Sequence, residues 1–137
     1  MEEHKGHYEF FIDHDQGTGY TKHQGTICLK DLNAMVVEMG SSPDFTSVTR
    51  GLTDLRQARG SLSSDDIRSA VDFVSRKIPR GRRFKWAIVA QTNIAYGLAR
   101  MFEILADAQN LNMEIQVFRD PHEAKVWLGI KKERSVS

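Results

Sequence analysis

Five residues stand where this chain could hold a polar ligand. Asp54 and Arg56 close one apolar run, and Gln91, Thr92 and Asn93 close another, Trp86-Ala87-Ile88-Val89-Ala90. Together they offer a carboxylate, a guanidinium, a hydroxyl and side-chain amides, so both donors and acceptors are present. In open α/β sheets ligands bind in the crevice at the carboxyl ends of the strands. The same residue types also act as turn and cap residues that satisfy backbone groups, and both readings stand. No glycine-rich phosphate-binding run is present, so no nucleotide fingerprint and no cofactor is implied. No nucleophile–base pair is readable, which counts against an enzyme.

A second set lies on the following helical segment. Tyr96 and Arg100 are four apart, with Glu103 three further on, so they share one helix face. Gly97 beside them costs roughly 1 kcal/mol of helix propensity relative to Ala. Tyr and Arg are types enriched at interface hot spots. Tyr96, Gly97 and Arg100 therefore form a candidate contact surface for a homodimer or another partner. The alternative is a solvated face with an Arg–Glu pair.

The histidines His4, His7, His14, His23 and His122 lack metal-binding spacing, so no metal site is expected. His14 and His23 could face one another across a hairpin. Arg76, Lys77, Arg80, Arg82, Arg83 and Lys85 form a basic run with one aromatic, Phe84; nucleic acid or an acidic partner is one reading, and a solvated loop is preferred. Cys28, the lone cysteine, excludes an internal disulfide. At a helix start it is either a reactive thiol or a buried, hydrophobe-like one, and the second is preferred.

The 137 residues suit one domain, long enough to bury a core without disulfides or metal. With 40% apolar and 27% charged residues the composition is that of a soluble globular protein. A net charge of +1 argues against nucleic acid or an acidic membrane as partner. The N-terminus, MEEHKGHYEF, is too polar for a signal peptide. No apolar run reaches the roughly 18 residues of a spanning helix. The chain reads as cytoplasmic.

The elements that must position these residues can be placed. Residues 7–14 and 20–26 read as strands around a short Gly-containing loop, a hairpin signal. A helix follows over 28–39, with Leu29, Leu32, Met35, Val36 and Met39 at helical spacing. Cys28 and Asp31 form a capping box with sulfur in place of oxygen. A strand centres on 51–55, and 57–62 is a loop. Ser63-Ser64-Asp65-Asp66 opens the second helix, whose stripe is Ile67, Ala70, Val71, Val74 and Ile78. Thr92 caps the third helix, whose stripe Ile94, Leu98, Phe102 and Leu105 should face the sheet. A strand over 112–119 precedes Asp120-Pro121-His122-Glu123, a strong helix start. Ala124, Trp127 and Leu128 of that helix should face the core. Residues 1–6 form a loose leader and 131–137 a polar, disordered tail. Residues 7–130 are then a single α/β domain of order β-β-α-β-α-β-α-β-α, with a mixed sheet of about five strands and an antiparallel N-terminal hairpin.

This order resembles that of the STAS-like, or SpoIIAA-like, small bacterial domains related to anti-sigma-factor antagonists and to STAS/SEC14-like proteins. The resemblance spans roughly residues 8–130. It is carried by Gly25-Thr26-Ile27 with Leu29-Lys30-Asp31-Leu32, by Thr53-Asp54-Leu55-Arg56, and by Val117-Phe118-Arg119-Asp120 with Glu123-Ala124 and Trp127-Leu128. Tyr96-Gly97-Leu98-Ala99-Arg100-Met101 resembles a subgroup signature. The resemblance implies a SpoIIAA-like fold and a non-enzymatic regulatory or binding domain that engages a partner protein or a small ligand. The alternative is an enzyme or a nucleotide- or small-molecule-responsive domain acting near Asp54 and Gln91. Antagonists of this family carry a regulatory serine after the third strand, and the resemblance implies Ser63. The family motif has Asp before the serine pair and Gly after it, whereas here the run is Leu62-Ser63-Ser64-Asp65. Asp65 and Asp66 would repel a phosphate, so no phosphorylation switch is expected.

Overall fold

The computed structural model describes residues 6–60, 62–79 and 81–130. Residues 1–5 of the leader, the tail over 131–137 and Arg80 of the basic run lie outside them. β1 (His7–Asp13) and β2 (Thr18–Ile27) form an antiparallel hairpin. β3 (Arg50–Gly60), β4 (Phe84–Val89) and β5 (Met113–Phe118) then join in parallel, so the sheet runs in chain order from β1 to β5. The helices are α1 (Leu29–Gly40), α2 (Ser64–Lys77), α3 (Asn93–Ala108) and α4 (Pro121–Leu128). Right-handed crossovers between neighbouring parallel strands leave every crossover helix on the same side. Accordingly α1, α2 and α3 pack side by side over one face, and α4 covers the other against β3, β4 and β5. The expected order, the mixed five-strand sheet and the antiparallel hairpin are all present.

Local chemistry sets the helix starts. Ser63 Oγ accepts from Asp66 N–H at 3.1 Å, and the Asp66 carboxylate accepts from Ser63 N–H at 2.9 Å. Thr92 Oγ1 accepts from Ala95 N–H at 3.1 Å, and Asp120 from Glu123 N–H at 3.2 Å. Each satisfies an amide that the helix leaves without a partner. Strand β4 alternates between two cores. Ile88 packs with Ala99, Ile115 and Val117 on the three-helix side, whereas Ala87 and Val89 pack with Leu52, Ala124 and Leu128 beneath α4.

Several expectations are corrected. The stretch 57–60 is strand, not loop: Gln57 to Gly60 pair with Gln24 to Ile27 because β2 runs on past the end of β4 and supplies a ladder. Residues 43–47 form a 3₁₀ turn, Pro43–Ser47. The buried face of α3 is Ala99 and Ala106, and Ile94 is 75% exposed. The helix is turned so that small residues meet the sheet, leaving Leu98, Phe102 and Leu105 half-buried. His14 and His23 are apart, since His23 lies opposite Tyr8 and His14 Nε2 meets Asp44 Oδ1 at 2.6 Å. Cys28 is exposed, because the strand-to-helix junction places it at the rim. Arg82 and Lys85 are structural ties. Arg82 donates to the carbonyls of Phe45 and Val48 with its guanidinium over the Phe84 ring at 4.8 Å. Lys85 Nζ donates to Trp127 O at 2.8 Å and sits 4.4 Å over the indole.

Candidate ligand chamber

Gln91, Thr92 and Asn93 follow the end of β4, whereas Asp54 and Arg56 lie within β3, level with and just past the end of β4, and β3 runs on to Gly60. Asp54 lies opposite Val89, the last residue of β4. Its carboxylate takes Arg56 Nη2 at 2.8 Å, Arg56 Nε at 3.0 Å and Arg56 N–H at 2.9 Å. Burial alone would push the Asp54 carboxyl up. The hydrogen bonds and charge of Arg56, helped by Lys22, outweigh it and hold the group below the usual carboxylate range. A second cluster is organised by Arg119. It donates to Gln91 O at 2.7 Å and to Asn93 Oδ1 at 3.0 Å, while Gln91 Nε2 donates back to Arg119 O at 3.2 Å. The Arg119 guanidinium lies 4.3 Å over the Tyr96 ring. Thr92 is used as the α3 cap. Gln91 and Asn93 are thus brought together around Arg119, and Asp54 is paired with Arg56 along its own strand. On the outer face of α3, Arg100 pairs with Glu103 at 3.0 Å, and a Cβ at the exposed Gly97 would meet nothing within 4 Å. Ser63 is the cap of α2, with Asp65 and Asp66 in the first turn.

The larger feature lies beneath the three-helix layer. A cavity of about 570 Å³ runs between the three-helix layer and the sheet, with α3 still packed on β5 beside it. Met35 and Met39 of α1, Ile67 and Val74 of α2, and Phe102 of α3 line it above; Thr53, Trp86 and Ile88 form part of its floor. The space follows from side-chain size. Ala70, Ala95 and Ala99 face inward where longer side chains would fill it. Protein interiors are otherwise close-packed, and ligand pockets run to roughly 300–1,000 Å³. Ile94 lines the cavity while remaining 75% exposed, so the chamber reaches the surface at the start of α3.

Apart from the exposed Ser41, Arg59, Lys77 and Thr92, the polar side chains at the chamber divide into two kinds. Thr53 Oγ1 accepts from Thr21 Oγ1 and from Trp86 Nε1, each at 2.8 Å, so these three are satisfied. His23 is 0% exposed, and neither ring nitrogen has a hydrogen-bond partner among the described residues. The buried Asn33 Oδ1 is equally without one. Both residues line the chamber. Burial pushes the His23 imidazole down to about 4, against a weaker upward pull from Asp31, so the ring is neutral. The β2–β3 register shifts at this point. Lys22 pairs with Asp54 and Gln24 with Gln57, so His23 alone stands against Leu55 and Arg56. Bulges of this kind re-aim side chains and are over-represented beside functional sites. Sequence reasoning missed His23 and Asn33 as site residues. The available signal was a histidine two residues after Thr21 in a strand, on the same face.

No protein-family model matches the sequence, and no curated protein does. Among solved structures the chain is similar to the crystal structure of an uncharacterised DUF3478-family protein with a SpoIIAA-like fold from Shewanella loihica PV-4. The two are 18% identical, with a TM-score of 0.58 over 93% of this chain and 97% of the other. This chain has a SpoIIAA-like fold. The resemblance read from the sequence therefore holds for the architecture. Fold alone assigns no role to a residue. In this SpoIIAA-like sheet the chamber lies on the face covered by the crossover helices, and the Asp54 and Arg119 clusters lie beside the end of β4.

Proposed function

We propose that this chain is a non-enzymatic binding domain whose ligand is a small, mainly apolar molecule held between the three-helix layer and the sheet. The observation that carries this reading is the chamber of about 570 Å³, walled by methionine, aliphatic and aromatic side chains. Ligand sites are commonly concave and apolar, with few polar groups. The alternative, catalysis or nucleotide response at Asp54 and Gln91, is weakened by the way Arg56 and Arg119 occupy those groups. No helix among the described residues is long and apolar enough to cross a membrane. The single cysteine fits a cytoplasmic, reducing setting.

The test is uptake of an apolar fluorophore. Phenylnaphthylamine should brighten and shift to the blue on titration with the native chain. Ala95→Phe, which adds a ring to the chamber wall, should weaken that response without lowering the melting temperature. No fluorescence change with the wild-type chain would remove the reading.

A second surface lies on the outer face of α3. Gly97 has no internal neighbour that would exclude a side chain, so its presence beside Tyr96 and Arg100 fits a contact with a second molecule, either another copy of this chain or a protein partner.

A further inference from the structure

Resting on the chamber reading, we propose that the ligand is an apolar molecule bearing a neutral hydroxyl group, and that His23 is the residue that recognises it. His23 is fully buried in the chamber wall and has no hydrogen-bond partner among the described residues. Leaving a buried polar group unpaired is costly, so an orphan of this kind calls for a partner from outside the chain. A neutral imidazole presents one donor and one acceptor. Asn33 Oδ1, the other orphan in the wall, is an acceptor.

The unmet demand therefore includes two acceptors and one donor. A hydroxyl can donate to an acceptor and accept from the imidazole N–H. An ether or ester has no proton to give. A carboxylate also has none; the cations that line the chamber, Arg59 and Lys77, are exposed, and a charge beside the buried neutral ring is strongly disfavoured. The Trp86 N–H and the Thr53 oxygen in the floor already have hydrogen-bond partners. The register shift puts two residues of β3, Leu55 and Arg56, against His23, which stays in register with Tyr8 of β1.

The experiment displaces phenylnaphthylamine from the full chain with three compounds of the same hydrocarbon length: decanol, decyl methyl ether and decanoate. Decanol should displace the probe at a concentration about tenfold lower than the other two, the worth of one well-made buried hydrogen bond. In His23→Leu the decanol advantage should vanish while the ether still competes. In His23→Gln, which retains a donor and an acceptor, part of it should return. Equal displacement by decanol and ether in the wild type would overturn the assignment and leave the apolar chamber standing. So would an advantage that survives in His23→Leu. Failure of the probe to bind at all would overturn both.

Discussion

The indole of Trp86 lies flat over Gly51, so that a Cβ at position 51 would stand 2.4 Å from the ring. No real Cβ makes such a contact, so the indole would have to shift from its place in the chamber floor and give up its bond to Thr53 Oγ1. Gly51→Ala should therefore destabilise the fold by about 1–3 kcal/mol through overpacking. The loss should appear as a lower urea midpoint and a shift in Trp86 emission. An unchanged midpoint would mean that the indole moves freely into the chamber.

Acid should weaken this protein through His23. The folded ring titrates at about 4, and an unfolded histidine near 6.5. Between those values the unfolded chain binds a proton that the folded chain refuses, so stability rises with pH across the window and falls as pH drops through it. The loss from this residue approaches roughly 3 kcal/mol at the lower end. Tyr8, whose ring centroid is 5.9 Å away, does not titrate there: a phenol ordinarily ionises near 10, and its bond to Glu38 pushes it up further, to about 12. Asp31 opposes the effect weakly. Urea midpoints from neutrality downward should slope more steeply in the wild type than in His23→Leu. Equal slopes would show that His23 is not the sensor.

Cys28 should label in the native state. It is exposed at the start of α1, and its N–H donates to Asp31 Oδ2 at 3.0 Å. Iodoacetamide at neutral pH should modify it to completion without denaturant. Protection until the chain is unfolded would contradict the exposed placement.

Arg100→Glu tests the outer face of α3. The Arg100–Glu103 pair is surface-exposed, with Arg100 at 47%, so its loss should change stability by no more than about 1 kcal/mol. If Tyr96, Gly97 and Arg100 meet a second molecule, the charge reversal lowers self-association in sedimentation velocity, or partner capture, with melting unchanged. Unaltered sedimentation and capture would make this a solvated face.

What could be read from the chain beforehand follows the range of the forces involved. Thr92, Ser63 and Asp120 announce their helices because a cap is a matter of three or four consecutive residues. The βαβ order follows from periodicity for the same reason. Gln57 to Gly60 carry no strand signal of their own and are strand only because β2 lies beside them. The rotation of α3 that leaves Ile94 outside is decided by packing, since its apolar residues allow more than one stripe. Arg119 was invisible as the centre of the Gln91–Asn93 cluster, 26 to 28 positions away. The chamber was hidden for a further reason. It is defined by the smallness of Ala70 on α2 and of Ala95 and Ala99 on α3, and no local pattern records a space between layers.

A sheet whose strands stand in the order in which they occur in the chain also has a growth direction. After the hairpin, each crossover unit adds its strand to an edge that the preceding unit has just completed. No strand must be inserted between two others, and no early strand waits for a distant one. Short loop closures of this kind favour fast folding. On the ribosome, where domains emerge N-terminus first, such a chain can extend its sheet by accretion, with α4 closing the second face last.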